Sequence, residues 1–100
     1  MSAQFKLEFT DVAKEQIAAL RRDGHLEKKY KKVQRTLGRL QINPAHPSLN
    51  SHKYDSIKGQ NGEDVWDSYV ENNTPSAWRV FWHYGPASGQ ITILIITPHP

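Results

Sequence analysis

The residues best suited to chemistry lie near the end of the chain, in the segment AWRVFWHY (77–84). At the two-residue period of a β-strand, Arg79, Phe81 and His83 share one face of this segment. The outer face of an ordinary half-buried strand is polar, whereas this face carries a cation, an aromatic ring and an imidazole. His99 lies just past the apolar run that follows. Together these side chains suit the binding of a phosphate and a base.

If the bound phosphate belongs to RNA, its cleavage without a metal needs a base for the 2′-hydroxyl, cations for the phosphate charge and an acid for the leaving 5′-oxygen. Histidine titrates near neutrality, so two histidines can serve as base and acid. We predict His52 and His99 as this pair, with the two roles unassigned. Arg79 presents a fork of donors that matches a phosphate and would stabilise the transition state.

Other side chains are predicted to bind the substrate without reacting. Lysines would add positive potential or contact the RNA backbone, and rings would stack on an unstacked base, as is common in single-strand recognition. The candidates are Lys53, Lys58, Tyr54, Phe81 and His83.

The catalytic candidates also have structural interpretations. His52 could hydrogen-bond the neighbouring loop, and His99 could belong to a frayed tail. Arg79 could form an ion pair with Asp67 or Glu71 across the neighbouring strand, a common contact that contributes little.

The remaining histidines and the tryptophans are more readily explained by structure. His83 could be a solvated edge residue, and His46 lies between two prolines where it would order a loop. Three tryptophans are expected mainly in the core, namely Trp66, Trp78 and Trp82.

The sequence gives no sign of a metal, a cofactor or a nucleophile triad. No two histidines have the helical i, i+4 spacing and there is no cysteine, so a metal site is not expected. A strained Gly-x-Ser-x-Gly turn is also absent.

Composition predicts a single domain over residues 1–100 in a reducing cytoplasm. The chain has 100 residues, enough for one core, and its lack of cysteine fits that compartment. We expect neither a signal peptide nor a membrane span. The formal net charge is +3. Most cations lie in the first half, largely in the segment KKYKK (28–32) with Arg35 and Arg39 following, which could attract an acidic partner or nucleic acid, or be a solvated helix face.

The first half of the chain predicts a strand and two helices. The strand spans Gln4 to Phe9, and Thr10 or Asp11 caps a helix that Gly24 ends. The apolar residues of this helix are Val12, Ala13, Ile17 and Leu20. Those of the second helix are Leu26, Tyr30, Val33, Leu37 and Leu40. The second helix ends before Asn43-Pro44. The two would form an αα-hairpin with one apolar face against a sheet.

The second half predicts four strands, at 49–57, 64–71, 78–84 and 91–97, separated by turns rich in Gly, Asn and Pro. The last strand is apolar on both faces and therefore belongs in the middle of a sheet. The expected fold is α+β, with an N-terminal strand, a helical hairpin and a largely antiparallel four-stranded meander.

This order of elements and several short segments resemble the RelE/ParE superfamily of toxin–antitoxin toxins, and most closely its RelE and YafQ group of messenger-RNA interferases. The segments are NPAHPSL (43–49), HKY (52–54), KG (58–59), WRV (78–80) and ITPH (96–99). The resemblance covers nearly the whole chain.

The resemblance implies a small cytoplasmic ribonuclease that enters the ribosomal A site, cleaves messenger RNA and is silenced by a co-expressed antitoxin. His52 matches a histidine or lysine of the group, and Tyr69 falls where some members have a histidine. Arg79 and His99 match an arginine and a C-terminal histidine of the group. The sequence departs from the group in having no aromatic residue after His99.

Two other functions remain open on the same fold. A ParE-like poison of DNA gyrase would need no acid–base histidines. A degenerate toxin retained as an antitoxin-binding module would bind a neighbouring gene product without toxicity. In each case the apolar seam of the helices and the sheet edge predict a partner helix or strand.

Overall fold

The computed structural model describes residues 4–72 and 77–98 of the chain. Its helices and strands, in order, are β1 (Lys6–Phe9), α1 (Asp11–Arg22), α2 (Glu27–Ile42), β2 (His52–Lys58), β3 (Asp64–Tyr69), β4 (Trp78–Tyr84) and β5 (Gln90–Pro98). Short 3₁₀ turns precede α2 and β2. No helix in this part of the chain is long and apolar enough to cross a membrane.

All five strands form one sheet in the order β1-β5-β4-β3-β2. Strand β1 pairs with β5 in parallel, and the other neighbours are antiparallel. Strand β5, which is apolar on both faces, therefore lies inside the sheet, as its sequence predicted. The predicted α+β fold with an antiparallel meander is confirmed.

The two helices pack side by side against one face of the sheet. Every apolar residue predicted for α2 belongs to this core or packs against it. In α1, Ala13 and Leu20 are buried, but the expectation for Val12 is wrong because its side chain is 56% exposed. The buried positions of α1 recur at intervals of four and three with Ile17, and Val12 lies about 100° away from that face.

Helix α1 is hydrogen-bonded to strand β5 at a β-bulge. The β4–β5 register shifts opposite Phe81 and Trp82, which leaves Leu94 as an extra residue. The Thr10 hydroxyl donates to the Leu94 carbonyl at 2.7 Å and accepts from a backbone N–H at the start of α1. The Gln16 side chain accepts from the Ile96 N–H at 2.7 Å. Of the two predicted caps, Thr10 and Asp11, Thr10 is the one observed, and its hydroxyl also hydrogen-bonds the bulged Leu94.

Strand β2 begins later than predicted. Leu49 lies in the 3₁₀ turn rather than in the strand, because Asn50 adopts a left-handed conformation with φ 46° and redirects the chain towards His52. The His46 Nδ1 accepts from the Ser48 N–H at 3.0 Å, so this histidine orders the loop.

The other predicted bounds agree closely with the structure. Strand β4 has the bounds expected, and β1, β3 and β5 differ by no more than two residues at either end. The predicted turn at 72–75 falls partly outside the described residues.

The opposite face of the sheet, here called the open face, is not covered by the helices. Val80 and Trp82 face the helical core, so the alternate residues of β4 face the other way. Even so, Phe81 is only 3% exposed. The register of β2 against β3 shifts after Lys53, and Tyr54 packs edge-on against Phe81 with ring centroids 5.0 Å apart. Strand β2 therefore curls over part of the open face.

Candidate functional site

Arg79 occupies the open face at the centre of a compact group of side chains. It lies opposite Tyr69 on β3 and opposite Thr97 on β5. Its guanidinium carbon is 3.5 Å from the centroid of the Tyr69 ring. Its Nη1 donates to Asp67 Oδ1 at 3.1 Å. The ion pair proposed as the structural alternative is thus present, with Asp67 as the partner.

This ion pair is almost enclosed. The side chains of Arg79 and Asp67 are 12% and 6% exposed. A charge removed from water to this extent needs an opposite charge beside it, and the carboxylate supplies one. The Arg79 Nε is also buried and has no hydrogen-bond partner among the described residues. Because a guanidinium has five N–H donors, Arg79 retains capacity for an additional anion.

His52 joins the same group from the edge of the sheet. It is the first residue of β2, is paired in register with Asp67 and is exposed. Its ring centroid is 5.9 Å from that of Tyr69. His52, Tyr69, Arg79 and Asp67 therefore form a continuous group, here called the Arg79 cluster.

His99, the other predicted catalytic histidine, lies outside the described residues. The last residue described is Pro98, which is paired with Trp78 in the β4–β5 ladder. The structure thus brings His52, Arg79 and Tyr69 together, and leaves the position of His99 as a prediction.

The predicted stacking residues Tyr54 and Phe81 lie on the same face, next to the cluster. They line a cavity of about 150 Å³ together with Ile57, Ile95 and Thr97. Ligand pockets usually exceed about 300 Å³, so this cavity is a shallow depression between rings. An aromatic surface of this kind could support one base.

Lys53 and Lys58 do not join the Arg79 cluster. Lys53 directly follows His52, so it points to the opposite face of the sheet, where it is paired with Trp66. The Nζ atoms of Lys53 and Lys58 lie 3.3 and 2.7 Å from the Asp64 carboxylate. The bond from Lys58, and then that from Lys53, hold the pKa of Asp64 below its ordinary value. One carboxylate therefore pairs with both lysines and offsets one of their two positive charges.

His83 lies within the open face and is only 5% exposed, so the interpretation as a solvated edge residue is wrong. Its Nδ1 is 2.9 Å from the Tyr84 carbonyl, which can only accept, so Nδ1 carries the proton. Nearby, N–H groups of Glu63 and Asn61 outweigh the effect of burial and lower the pKa of Glu63.

Glu71, the other carboxylate considered for Arg79, is engaged with helix α2. It pairs with Lys29 and Lys32 and accepts from the Trp78 N–H at 3.3 Å. Strand β3 ends at Tyr69, so the alternation of faces does not continue to Glu71. The sequence carried no signal for this choice of partner.

The arrangement offers anion binding beside an imidazole. In the described part of the chain, no group of three His, Cys, Asp or Glu side chains could hold a metal ion. The chemistry available to the described side chains is therefore phosphate binding by Arg79, proton transfer by His52 and stacking on Tyr54 or Tyr69, whereas the ring of Phe81, predicted to stack, is buried beneath Tyr54.

Comparisons by sequence give no match, either to a family model or to a curated protein. Solved structures match over almost the whole chain. The YoeB dimer from Staphylococcus aureus has a TM-score of 0.70 and 16% identity, covering 98% of this chain and 100% of that chain. A YoeB/ParE toxin from Agrobacterium tumefaciens has a TM-score of 0.69 and 12% identity, covering 95% and 99%.

A third match comes from an archaeon. It is the RelE–RelB complex from Pyrococcus horikoshii OT3, with a TM-score of 0.66 and 14% identity, covering 95% of this chain and 94% of that chain. Similarity at such low identity concerns the fold. The chain therefore has the RelE/ParE-type toxin fold that its sequence resemblance predicted.

Proposed function

We propose that this chain is the toxin of a toxin–antitoxin pair and that it inhibits translation by cleaving messenger RNA. The observation that carries the proposal is the Arg79 cluster, in which a guanidinium, an imidazole and an aromatic ring meet on the face of the sheet that the helices leave free. The fold shared with YoeB, RelE and YafQ toxins supports it.

In the proposed reaction one histidine removes the proton from a ribose 2′-hydroxyl, and the 2′-oxygen attacks the adjacent phosphorus. The bond to the 5′-oxygen breaks, a 2′,3′-cyclic phosphate forms, and a second histidine protonates the leaving oxygen. Arg79 binds the phosphate and stabilises the charge that develops on it. His52 and His99 are the proposed pair, and Tyr54, backed by the buried Phe81, would support a neighbouring base.

Contact with the ribosome is proposed for the exposed side of α2. Lys28, Arg35 and Arg39 are exposed and form no ion pair with any described residue. Their spacing of seven and four residues places them along one side of the helix. This row, here called the α2 stripe, would bind phosphates of ribosomal or messenger RNA.

A cognate antitoxin is the proposed protein partner. The similar structures include toxin–antitoxin complexes, among them RelE–RelB, YoeB–YefM and DinJ–YafQ. In this chain a groove of about 640 Å³ runs between α1 and α2, with Ile17, Val33 and Leu37 in its apolar floor and Arg21 and Arg22 among its lining residues. A segment with apolar and acidic side chains would fit this groove.

The proposal is tested by expressing the chain alone and mapping cleavage of messenger RNA. We expect wild type to stop growth and cut RNA, and Arg79→Ala to relieve both effects. Arg22→Ala removes an exposed arginine of α1 that pairs with Glu15, and should retain both effects. Cleavage by Arg79→Ala at the wild-type level would disprove the site. His52→Ala and His99→Ala then test the two histidines separately.

A catalytically silent antitoxin-binding module is the second candidate. It is favoured by the engagement of Arg79 with Asp67 and of both nearby lysines with Asp64. This candidate predicts tight binding to the antitoxin without growth arrest when the chain is expressed alone. Growth arrest with intact RNA and inhibited supercoiling would instead indicate a gyrase poison.

A further inference from the structure

The anion-binding position beside Arg79 is already occupied by part of the protein itself. Asp67 accepts a hydrogen bond from the guanidinium at 3.1 Å, and both side chains are nearly enclosed. We propose that Asp67 is a positioning residue that holds Arg79 for phosphate and, by offsetting its charge, keeps the affinity of the open face for free RNA low. This inference rests on the proposed function, in which this face binds RNA.

The charges near the Arg79 cluster support a low affinity of the open face for RNA. Lys53 and Lys58 lie on the opposite face and are paired with Asp64. Among the described residues of β2 to β5, Arg79 is thus the only Lys or Arg on the open face. With Asp67 beside it, the pair has no net charge, so little long-range attraction for an RNA backbone remains there.

The geometry shows how Asp67 positions Arg79. The Tyr69 ring lies 3.5 Å from the guanidinium carbon, and Asp67 fixes one end of the guanidinium through Nη1. The buried Nε has no partner in the part of the chain that the structure describes. A guanidinium can bind a carboxylate and a phosphate through different N–H groups, but the two anions then share one positive charge.

Replacing the carboxylate by an amide separates the two effects of Asp67. Asp67→Asn keeps an oxygen that accepts the Nη1–H bond and removes the negative charge. Arg79 then remains oriented, and its full charge becomes available to phosphate. Asp67→Leu removes both the charge and the acceptor, so it should lose the positioning as well.

The experiment measures binding of a 2′-O-methyl RNA oligonucleotide, which lacks the attacking hydroxyl and is not cleaved. We expect Asp67→Asn to bind about tenfold more tightly than wild type, the effect of about one charge-assisted contact. The dependence of log affinity on log salt should steepen by about 0.7, the value for one more phosphate on a single strand. Asp67→Leu should bind no more tightly than wild type.

Asp64→Asn is the matched control, since it makes the same change of charge on the same strand but on the opposite face. If it strengthens binding as much as Asp67→Asn, the effect comes from overall charge and the inference is wrong. Unchanged or weaker binding by Asp67→Asn also overturns it, as does a lack of detectable binding by both wild type and Asp67→Asn.

A measurement on wild type covers the case in which Asp67→Asn does not fold. In NMR spectra, adding the oligonucleotide should shift both the Arg79 Nε–H signal and the Asp67 carboxyl carbon, because phosphate shares or displaces the ion pair. The measurement is repeated with Arg35→Glu and Arg39→Glu in place, so that the α2 stripe does not hold the oligonucleotide, and binding to that variant that leaves both signals unchanged overturns the inference. Since neither experiment requires cleavage, the inference can fail while the chain remains a ribonuclease, and it can hold in a silent toxin.

Discussion

At the scale of single residues, the stacking of Arg79 on Tyr69 sets the plane of the guanidinium. A cation over an aromatic ring contributes about 2 kcal/mol when both are withdrawn from water. The ring rather than the hydroxyl makes this contact, with the guanidinium carbon 3.5 Å from the ring centroid. Tyr69 therefore belongs to the candidate site through its aromatic face.

The first prediction follows from this stacking. Tyr69→Phe keeps the ring and should retain RNA cleavage within about twofold of wild type, since it loses less than about 0.5 kcal/mol. Tyr69→Leu removes the ring and should lose about tenfold or more, because Arg79 is no longer held flat. Rates of cleavage of a defined messenger RNA measure both variants. Equal rates for Leu and Phe would show that the ring has no part in the reaction.

A second prediction concerns a buried hydrogen-bond chain on the other face of the sheet. The Trp82 indole N–H donates to Ser68 Oγ at 2.7 Å, and Ser68 Oγ lies 2.6 Å from Ser51 Oγ. Ser68→Ala leaves the indole N–H without an acceptor and should cost about 2 kcal/mol of unfolding free energy, measured by urea denaturation. Ser56→Ala, at an exposed position of β2, should change it by less than about 0.5 kcal/mol.

Some features of the site could be read from the sequence, because strand alternation is local. Alternation placed Arg79 on the face opposite Trp82, and the structure agrees. Alternation could also have shown that His52 and Lys53, as neighbours in one strand, face opposite sides. The choice of Asp67 over Glu71 as the partner of Arg79 depends on where β3 ends, which sequence patterns locate only approximately.

At the scale of elements, Glu71 links helix α2 to the start of β4. Its carboxylate pairs with Lys29 and Lys32 and accepts from the Trp78 N–H, and Lys29 also lies over the Trp78 ring. Burial alone would raise the pKa of Glu71, but the bonds from Lys29 and Trp78 outweigh it and hold the pKa below 4.5. The ionised form of Glu71 is therefore the form that the fold stabilises.

This pKa gives the third prediction. A carboxyl whose pKa is lowered on folding adds stability above its unfolded value of 4.5 and loses it as the pH falls through the folded pKa. Glu71→Gln should lower the unfolding free energy at pH 7 by about 2 kcal/mol. The difference from wild type should shrink as the pH falls below 4.5, where the unfolded chain binds a proton first, and should vanish once the folded carboxylate is protonated as well. Denaturation curves across this pH range measure the effect.

An exposed ion pair provides the control for Glu71. Glu27 and Lys31 lie one turn apart on α2, and their side chains are 70% and 69% exposed. Glu27→Gln should change stability by no more than about 0.5 kcal/mol. A loss in Glu27→Gln as large as that in Glu71→Gln would show that the charge of α2, rather than the link to β4, governs stability.

Helix α2 and strand β4 were predictable because the apolar side chains of each recur at a single period over its whole length. The start of β2 was not, since it depends on a left-handed Asn50, a conformation that no local pattern requires. The bulge at Leu94 and the curl of β2 over Phe81 arise from contacts between distant segments. The outward face of Val12, by contrast, follows from helical periodicity, since Val12 lies about 100° from the face that carries Ala13 and Leu20.

At the scale of the whole molecule, the cations and the candidate site lie on different surfaces. The α2 stripe is exposed, whereas Arg79 on the open face is paired with a carboxylate. Charge would therefore bring the molecule to RNA through α2, and the Arg79 cluster would act on a message already held nearby. The basic segment of the sequence was compatible with an acidic partner, nucleic acid or a solvated helix face, and only the fold shows its separation from the site.

The last prediction tests this division by reversing charge on one surface at a time. Arg35→Glu combined with Arg39→Glu should weaken binding of the 2′-O-methyl oligonucleotide and reduce its salt slope by about 1 to 2, because about two phosphate contacts are lost. Arg21→Glu combined with Arg22→Glu makes the same change of charge beside the groove of α1, where it should impair antitoxin binding instead. Equal losses of RNA affinity in the two double variants would mean that net charge acts without regard to position. If docking and reaction use separate surfaces, only the α2 variant should lose RNA affinity. That variant should still cleave messenger RNA supplied at a saturating concentration, and this cleavage should still depend on Arg79.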